Sequence, residues 1–351
     1  MYVACTIDGR TAPVTSICLS EGYNEGWTAT ACFPAASIEP GSILAMRLGD
    51  RTNTLNLTME PEGLTEDCYG IEATFRDQAT RRLAHSRYDG SSLHCMSADT
   101  ALNRICVANG ITLSGSTGFG NIHYASSDEQ ESCALLTSLL DICGAYYNTD
   151  GETLAVTAAH NTADHTLDIA AASVAVNFEA LVSKLILNKV TPCDVVTTFH
   201  DSVEFAEEVR IASANVITGP STNSTSIWKN TNGFTISGRS GMVVGITVRS
   251  CPADYDPSFT ASQDCAEPTR ANYANWTSTI WATKAQATAR AAYYMWVVNR
   301  DFKVARFTVP FDLSIRTGDV VSYQGNAYRV TAVTHSLSSS EASTELEASA
   351  I

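Results

Sequence analysis

The sequence predicts a mainly β protein with α+β insertions, in which two related β-barrels are each interrupted by a smaller unit. Short segments of alternating apolar and polar residues, separated by Gly, Asn and Pro, fill residues 1–92 and return from about 176 to 250. Helical periodicity is confined to two zones, and a strand–turn–strand pattern closes the chain. At 351 residues and 44% hydrophobic content, the chain is folded and too long for one ordinary core.

We divide the chain into four regions on these grounds. The first barrel takes residues 1–92 and about 176–205, a small α/β domain takes 93–175, the second barrel takes about 206–250 and 303–351, and a helical insert takes about 251–302. The sequence has no tandem repeat of short fixed period, so only the order of these regions indicates two related halves.

The N-terminal region supplies the first strand predictions. In "APVTSICLSEGYNEGWTATACF" two alternating runs flank Gly22 and Gly26, which predicts two strands joined by a turn. The segment "SILAMRLGDRTNTLNLTM" follows Pro40-Gly41 in the same style, and "CYGIEATFRDQATRRLAHS" continues it. Short strands separated by Gly, Asn and Pro residues are typical of a barrel or a sandwich.

Two helices are predicted in the small α/β domain. In "MSADTALNRICVANGITL", Ser97 or Asp99 caps a helix that ends at Asn109-Gly110. The segment "SSDEQESCALLTSLLDICGAYY" predicts an amphipathic helix that ends at Gly144. A hairpin over Asp150-Gly151 then folds the chain back.

A second helical zone follows Pro268. The segment "NYANWTSTIWATKAQATARAAYYMWVVNR" reads as helical. Its residues Ala285, Ala289, Ala292 and Trp296 fall on one face, so we expect close packing through that face.

The closing segment, residues 314–349, predicts three strands joined by two turns. Gly318-Asp319 precedes the first strand, and Gln324-Gly325-Asn326 offers residues that tolerate the positive φ of a tight hairpin. The predicted inward residues are Tyr328, Val330 and Ala332 on the middle strand and Thr344, Leu346 and Ala348 on the last. Such a meander cannot bury its apolar face alone, so it must complete a larger β structure.

The eleven cysteines do not form a metal-binding or redox pattern. They are odd in number, scattered from Cys5 to Cys265, and never spaced as CxxC. Cys106, Cys133 and Cys143 fall on apolar helix faces. We therefore predict that most are reduced core thiols, with room left for one or two disulfides.

The formal net charge of −15 argues against a nucleic-acid reader, which needs a basic surface. It suits solubility and also a surface that nucleic acid passes without adhering. No apolar run is long enough for a transmembrane helix, and "MYVACTIDGR" lacks the basic start and apolar stretch of a signal peptide.

A search for catalytic, cofactor and metal sites assigns no residue to any of them. The glycines of "GSTGFG", residues 115–120, lack the GxGxxG spacing, and neither Ser116 nor Ser240 lies in a GxSxG elbow. His160 and His165 are five residues apart with Asp164 beside them, which is not the i,i+4 spacing of a helical metal site, and no further ligand is evident, so we interpret them as exposed loop residues. His335 is expected to be a packed strand residue. We therefore predict a protein that is not an enzyme and uses no cofactor.

Four motifs in a fixed order resemble the baseplate hub family of phage tails, which includes the late control protein D group. They are "SADTALNRICVANGITL", then "SSDEQESCALLTSLLDICGAYYNTDGETLAVT" with Gly144 and Tyr146, then the helix "TKAQATARAAYYMWVV", and last "FDLSIRTGDVVSYQGNAYRVTAVTHSLSSSEASTELEA". The last segment contains Gly318-Asp319-x-Val321, "YRV" at Tyr328–Val330, and the stretch from His335 to Leu346. The resemblance covers about half of the chain. The N-terminal 92 residues carry no motif of the group, and the eleven cysteines depart from its pattern.

The resemblance implies a structural virion protein of the phage tail baseplate. In this family two barrels like those of the tail tube stand in tandem with small outer α/β domains. Three copies form a ring that adapts the hexameric tail tube to a trimeric central spike, with baseplate wedge proteins around it. DNA passes through the lumen during ejection without specific binding, and part of the negative charge is expected to face that lumen. The implied location is the virion, after synthesis in the host cytoplasm.

Two other functional classes stay open at this point. A carbohydrate- or receptor-binding tail component would use exposed tryptophans such as Trp228, Trp276 and Trp281, because sugar faces stack on aromatic rings. A tail-associated cell-wall hydrolase would need converging acids, and Glu60 with Glu62 or Glu207 with Glu208 are the paired carboxylates available.

Overall fold

The computed structural model describes residues 2–50, 52–67, 70–88, 93, 96–122, 131–169, 172–189, 280, 283–339 and 341–351, with seven short strands between 197 and 278. The described residues are mainly strand and include four helices. None of these helices is long and apolar enough to cross a membrane.

The N-terminal region forms seven strands and a short helix. These are β1 (Tyr2–Ile7), β2 (Arg10–Thr11), β3 (Ser16–Gly22), β4 (Gly26–Phe33), β5 (Leu44–Gly49), β6 (Thr54–Asp67), β7 (Gly70–Asp77) and α1 (Gln78–Ala84). The interpretation of "CYGIEATFRDQATRRLAHS", residues 68–86, as strand-forming is wrong for α1, because the buried Asp77 caps a helix there. Its carboxylate accepts hydrogen bonds from the Thr80 amide at 2.9 Å and from the Trp27 amide at 2.7 Å.

The following unit is the predicted α/β region. It contains β8 (Met96–Ser97), α2 (Ala98–Ala108), β9 (Thr112–Ser116), β10 (Asn121–Ile122), α3 (Ser132–Cys143), β11 (Ala145–Asp150) and β12 (Thr153–Ala158). Ser97 caps α2 and Gly144 ends α3 with a φ of 62°, as predicted. The hairpin over Asp150-Gly151 is confirmed by the pairing of β11 with β12, and β12 also pairs in parallel with β9.

The middle of the chain contains strands that pair mainly among themselves. They are β13 (His165–Thr166), β14 (Ala172–Val176), β15 (Lys184–Lys189), β16 (Thr197–Asp201), β17 (Val209–Ala212), β18 (Ser226–Asn230), β19 (Gly233–Ser237), β20 (Met242–Ile246), β21 (Thr260–Asp264) and β22 (Tyr273–Ser278). In the described residues β15 pairs with β21 and β22, β16 with β20, and β19 with β17 and β18. The assignment of 176–205 and 206–250 to the two barrels therefore stays a prediction.

The second helical zone differs from the prediction in its start and in its buried face. Residues 273–278 form β22, and α4 (Lys284–Asn299) begins only after a capping box of Thr283 and Gln286. Trp296 is buried as predicted, but Ala285, Ala289 and Ala292 are exposed. The buried stripe is Ala287, Ala291 and Tyr294, because the large aromatic side chains near the C-terminal end decide which face turns inward.

The last strands confirm the predicted meander, with one change of phase. They are β23 (Lys303–Pro310), β24 (Val320–Tyr323), β25 (Asn326–Ser338) and β26 (Ala342–Ala350). Gln324 and Gly325 have positive φ in the β24–β25 hairpin. A bulge between Val330 and Ala332 turns Val333 inward in place of the predicted Ala332.

The first and last regions share one sheet. Its order is β14-β23-β26-β25-β3-β4-β7-β6-β5-β1-β2, with β24 paired to β25 and β13 to β24. The β25–β3 pair joins the C-terminal strands directly to the N-terminal ones. In the residues that the structure describes, this ladder is open and does not close into the two predicted barrels.

Two cores lie on the same face of this sheet, and a third lies among the helices. The N-terminal strands cover a core around Trp27, Phe33 and Phe75, and the C-terminal strands cover one around Phe307 and Tyr328. The third core joins α2, α3 and α4, so the helical insert and the α/β unit pack together. Cys106 and Cys143 are buried there, whereas Cys18 on β3 is an exposed thiol that the core-thiol prediction missed.

Candidate assembly surface

The candidate functional surface is the set of strand edges without a partner, because such edges offer amide and carbonyl groups to another chain. In the described part of the chain the ladder ends at β14 on one side. On the other side β5 pairs only with Thr54–Met59 of β6, which leaves residues 60–67 of that strand with a free edge. The two-residue strand β2 covers only Thr6 and Ile7 of β1.

Exposed apolar side chains concentrate at two of these edges. Val174 and Val176 of β14 are 44% and 43% exposed, and Phe178 just beyond it is 64% exposed. Leu64, on the free part of β6, is 51% exposed. These are four of the seven large hydrophobic side chains that are exposed in the described residues. An apolar strand edge is an aggregation hazard unless a partner covers it, so these edges are suited to assembly.

The sheet face opposite the two cores is lined mainly by small hydroxyl-bearing side chains. On the three central strands these side chains are Thr334 and Ser336 of β25, Ser16 and Ser20 of β3, and Thr28 and Thr30 of β4. Cys18 and Cys32 share that face. Between Ala332 and Ser338 of β25, and along the parts of β3 and β4 that lie beside this stretch, no charged side chain lies on this face. The centre of the sheet therefore has a neutral polar surface.

The charged side chains at the flanks of this face are glutamates, two arginines paired with glutamates, and the exposed Arg47 of β5, whose guanidinium lies 5.6 Å from the ring centre of Tyr2. Arg306 of β23 forms an ion pair with Glu347 at 2.9 Å, and Arg76 of β7 forms one with Glu62 at 2.8 Å. Glu72 and Glu345 are exposed on the same face. Because Arg306 and Arg76 are neutralised by glutamates, and the exposed Glu72 and Glu345 outnumber Arg47, the face offers phosphate groups little attraction.

A buried ion pair holds the two halves of the sheet and the α/β unit together. The Glu21 side chain on β3 is fully buried, and Arg316 donates to both of its oxygens at 2.9 and 2.5 Å. The Thr317 amide and the Asn148 side chain donate to the same carboxylate, and Arg316 also donates to the Thr149 carbonyl. The pair therefore fixes the loop before β24 against β3 and β11.

A second junction uses a buried arginine among aromatic rings. The guanidinium of Arg329 lies 4.8 Å from the ring centre of Trp296 and 5.8 Å from that of Tyr293. Its Nη2 donates to the His160 carbonyl at 2.8 Å and to Asn161 at 3.0 Å. The contact ties β25 to α4 and to the loop after β12.

The three residues that the sequence analysis examined as metal ligands, His160, Asp164 and His165, form structural contacts instead. His160 lies 3.7 Å from Asp164, His165 lies 3.3 Å from Asp319, and the Asp164 carboxylate accepts from the Val320 amide at 2.8 Å. These contacts anchor the 160–166 loop to β24. Within the described residues no cluster of His, Cys, Asp and Glu is arranged to hold a metal ion.

His335 is a packed strand residue, as expected. It is fully buried, its Nδ1 lies 2.9 Å from the Thr344 hydroxyl, and its ring lies beside Trp27 and Phe311. Burial, with a smaller effect from the nearby Arg316, lowers the pKa of His335 to about 4. The imidazole is therefore neutral at pH 7.

Of the residues of the two alternative classes, the structure describes the side chains of only Glu60 and Glu62, and these two have structural partners. Glu60 and Glu62 form ion pairs with Arg81 and Arg76, respectively, on the outside of the sheet. Glu207, Glu208 and Ser240 and the side chains of Trp228, Trp276 and Trp281 lie outside the described residues. Sequence reasoning missed the β14 edge, although the segment "ASVAV" has apolar residues at alternate positions and no charge.

Comparisons with known proteins place this geometry in a known fold. No family model and no curated protein matches the sequence. Among solved structures, the 43 kDa tail protein of prophage MuSo2 from Shewanella oneidensis aligns with a TM-score of 0.61 at 12% identity, covering 99% of this chain and 97% of that one. A tail protein from Neisseria meningitidis MC58 aligns with a TM-score of 0.63 at 8% identity, covering 99% and 97%.

A third solved structure agrees with these two. The prophage tail protein gp18 from Listeria monocytogenes EGD-e aligns with a TM-score of 0.61 at 10% identity, covering 99% of this chain and 94% of that one. The alignments span almost the whole of every chain, including the N-terminal region where the sequence carries no motif of the resemblance. The chain has the fold of phage tail proteins, as its resemblance to the baseplate hub family predicted.

Proposed function

We propose that this chain is a structural hub protein of a phage tail baseplate, whose copies form a ring of three between the hexameric tail tube and a trimeric central spike. The observation that carries the proposal is the match of nearly the full chain to three phage tail proteins, together with a sheet that has apolar free edges at β14 and along the far half of β6. A ring of identical chains needs two different edges on each copy, because every contact is head to tail.

The predicted barrels belong to this proposal. In the first half, Val3 of β1 and Ile17 of β3 line the same apolar cleft with Val14 and Leu337, so the sheet curls until its far strand returns near its first. The second half folds β23 to β26 around its own core with Leu167, Ile169 and Ala172. Each half is therefore a rolled sheet, and the ring would supply the neighbours that its edges lack.

The channel is the second element of the proposal. In a ring closed by strand edges, one face of the sheet points to the axis. The α4 helix covers the face away from the cores at Arg329 and Ser349, so the part around Ser20 and Thr334 is the one that would point to the axis. Its hydroxyl-bearing centre and its paired arginines would let DNA pass without adhering. The tail tube protein, the spike protein and the baseplate wedge proteins are the proposed partners, and the virion is the proposed location.

Assembly with the partners tests the proposal. The chain would be produced alone and together with the tube and spike proteins of the same phage, and the mass of each species measured by light scattering. We expect a complex that contains three copies of this chain whenever the spike protein is present. A chain that stays monomeric with both partners would contradict the proposal.

A further inference from the structure

The main sheet contains the same four-strand array twice. Strands β14-β23-β26-β25 and strands β3-β4-β7-β6 follow each other in the same order, and all neighbours are antiparallel. Each array has one register shift at the corresponding place, between Val330 and Ala332 in β25 and between Pro61 and Gly63 in β6. The two halves can therefore be aligned residue by residue from their hydrogen-bonding registers alone.

The alignment starts at the bulges and proceeds strand by strand. Val330 pairs with Ala348 and Pro61 with Phe75, so these two pairs correspond. Ala348 pairs with Ala305 and Phe75 with Ala29, and then Ala305 pairs with Val174 and Ala29 with Leu19. Val174 of β14 thus occupies the position of Leu19 of β3, and Leu64 of β6 occupies that of Val333 of β25.

The correspondence shows which edges of the chain are unsatisfied. Within the chain, the far half of β25 pairs with β3, from Ala332 with Gly22 to Ser338 with Ser16. The corresponding far half of β6 and the corresponding strand β14 have no strand partner on those sides in the described residues. Leu19 is fully buried, whereas its counterpart Val174 is 44% exposed.

We infer that β14 of one copy pairs antiparallel with the far half of β6 of the next copy, in the register of the β25–β3 pair. The inference deepens the proposed function and rests on it in one respect, that copies of the chain form a ring. Transferred through the alignment, the register places Leu64 opposite Val176 and Thr65 opposite Ala175 of the neighbour. Two exposed apolar side chains then cover each other, which removes both from water.

Residues beyond the strand support the same register. Within the chain, the amide of Tyr23 donates to the Thr331 carbonyl of the β25 bulge at 2.9 Å. The counterpart of Tyr23 is Phe178, and the counterpart of Thr331 is the β6 bulge residue Glu62. The junction therefore also places the 64% exposed Phe178 beside the neighbour's bulge. Every junction around the ring, within and between copies, would then use one geometry.

Disulfide trapping tests the register, and the chain supplies a matched control. The Ser20 and Thr334 hydroxyls lie 3.1 Å apart across the β25–β3 pair, so S20C with T334C in one chain reports the known junction. The counterpart pair is T65C in one chain and A175C in another, and both positions are exposed. T65C mixed with S173C, two residues along the same face, is the shifted-register control, and the wild-type chain sets the background of its native cysteines.

The complex with tube and spike proteins is oxidised mildly and run on a denaturing gel without reducing agent. We expect the mixture of T65C and A175C chains to give a band of crosslinked dimer that disappears when reducing agent is added. The shifted pair should stay at the wild-type background. A ring that forms normally but crosslinks equally at both pairs, or at neither, overturns the junction and leaves the proposed function standing. A chain that does not assemble with either partner overturns both.

Discussion

Two buried side chains, Glu21 and His335, lie close to Trp27, and the fold accommodates one as an ion-pair partner and the other as a neutral ring. Glu21 must stay charged, because Arg316 and an amide donate to its oxygens inside the junction of three units. His335 must stay neutral, because its ring is buried between Trp27 and Phe311 and faces the positive charge of Arg316. The neighbourhood of Trp27 is therefore sensitive to both mutation and pH.

Removal of the Glu21 carboxylate should be strongly destabilising. Glu21→Ala leaves the Arg316 guanidinium without its buried partner, and such a loss costs about 3–5 kcal/mol. The exposed Glu345→Ala on β26 is the matched control and should change the free energy of unfolding by less than about 0.5 kcal/mol. Urea unfolding followed by tryptophan fluorescence measures both, and equal effects of the two substitutions would contradict the role of the ion pair.

His335 should make stability depend on pH between its two pKa values. The folded pKa of about 4 lies below the ordinary 6.5, so the unfolded chain binds the proton more readily in this window. Stability from this residue is complete above pH 6.5 and is lost as the pH falls to 4, by about 3 kcal/mol in total.

The test is the difference between the wild type and His335→Gln. Subtracting the stability of the variant from that of the wild type removes the contribution of Asp141, which both proteins share. Burial raises the pKa of Asp141 to about 6, so its effect on stability between pH 4 and 6 has the opposite sign to that of His335. The stability difference should shrink as the pH falls from 7 to 4. A difference that is constant across this range would rule out the linkage at His335.

At the scale of elements, helix ends and bulges decide where the chain turns. The buried Asp77 ends β7, starts α1 and also holds the Trp27 amide at the β3–β4 turn. The bulge after Val330 moves β25 from its pairing with β24 to its pairing with β3. Local capping thus positions the α/β unit, and a one-residue bulge joins the two halves of the sheet.

Asp77→Ala should destabilise the protein more than the loss of an exposed cap. An N-cap contributes about 1 kcal/mol, and the buried Trp27 amide would lose its acceptor as well, at a further cost of about 1–3 kcal/mol. Ser97→Ala at the cap of α2 removes only the first contribution. Thermal unfolding compares the two variants, and a smaller loss for Asp77→Ala would contradict the double role.

Elements with strong local signals were predictable from the sequence. Ser97, Gly144 and Gln324-Gly325 mark a cap, a helix end and a hairpin through their own backbone preferences. The buried face of α4 was not predictable in this way, since alanines line two faces and tertiary packing chooses one. The bulge in β25 depends on strands far away in sequence and has no local signal. The alternation in "ASVAV" indicates the strand β14 but not that its edge stays uncovered, because that depends on strands far away in sequence as well.

At the scale of the whole molecule, one sheet separates two cores from a polar face. The apolar free edges lie at β14 and along the far half of β6, and the open face carries more acidic than unpaired basic side chains. Under the proposed function, neighbouring copies supply the contacts that these edges lack among the described residues. The ring is then the functional form, and passage of DNA is the reason for the polar face.

Reversal of the charge on the polar face should create DNA binding. The double variant Glu72→Lys, Glu345→Lys places two cations beside a hydroxyl-rich surface, and the affinity should fall steeply with salt. Glu39→Lys, in the exposed loop before β5, is the single-charge control away from the face. Gel-shift assays with duplex DNA at low salt should show binding by the double variant alone. If the wild-type chain binds DNA equally well, the proposed role of the face is wrong.

The symmetry of the assembled complex tests the central claim most directly. Electron microscopy of this chain with its tube and spike proteins would show the number of copies in the ring and the face that lines the channel. The account predicts a threefold ring with Ser20, Thr30 and Thr334 around the opening. A ring of another symmetry, or one with this face turned outward, would contradict it.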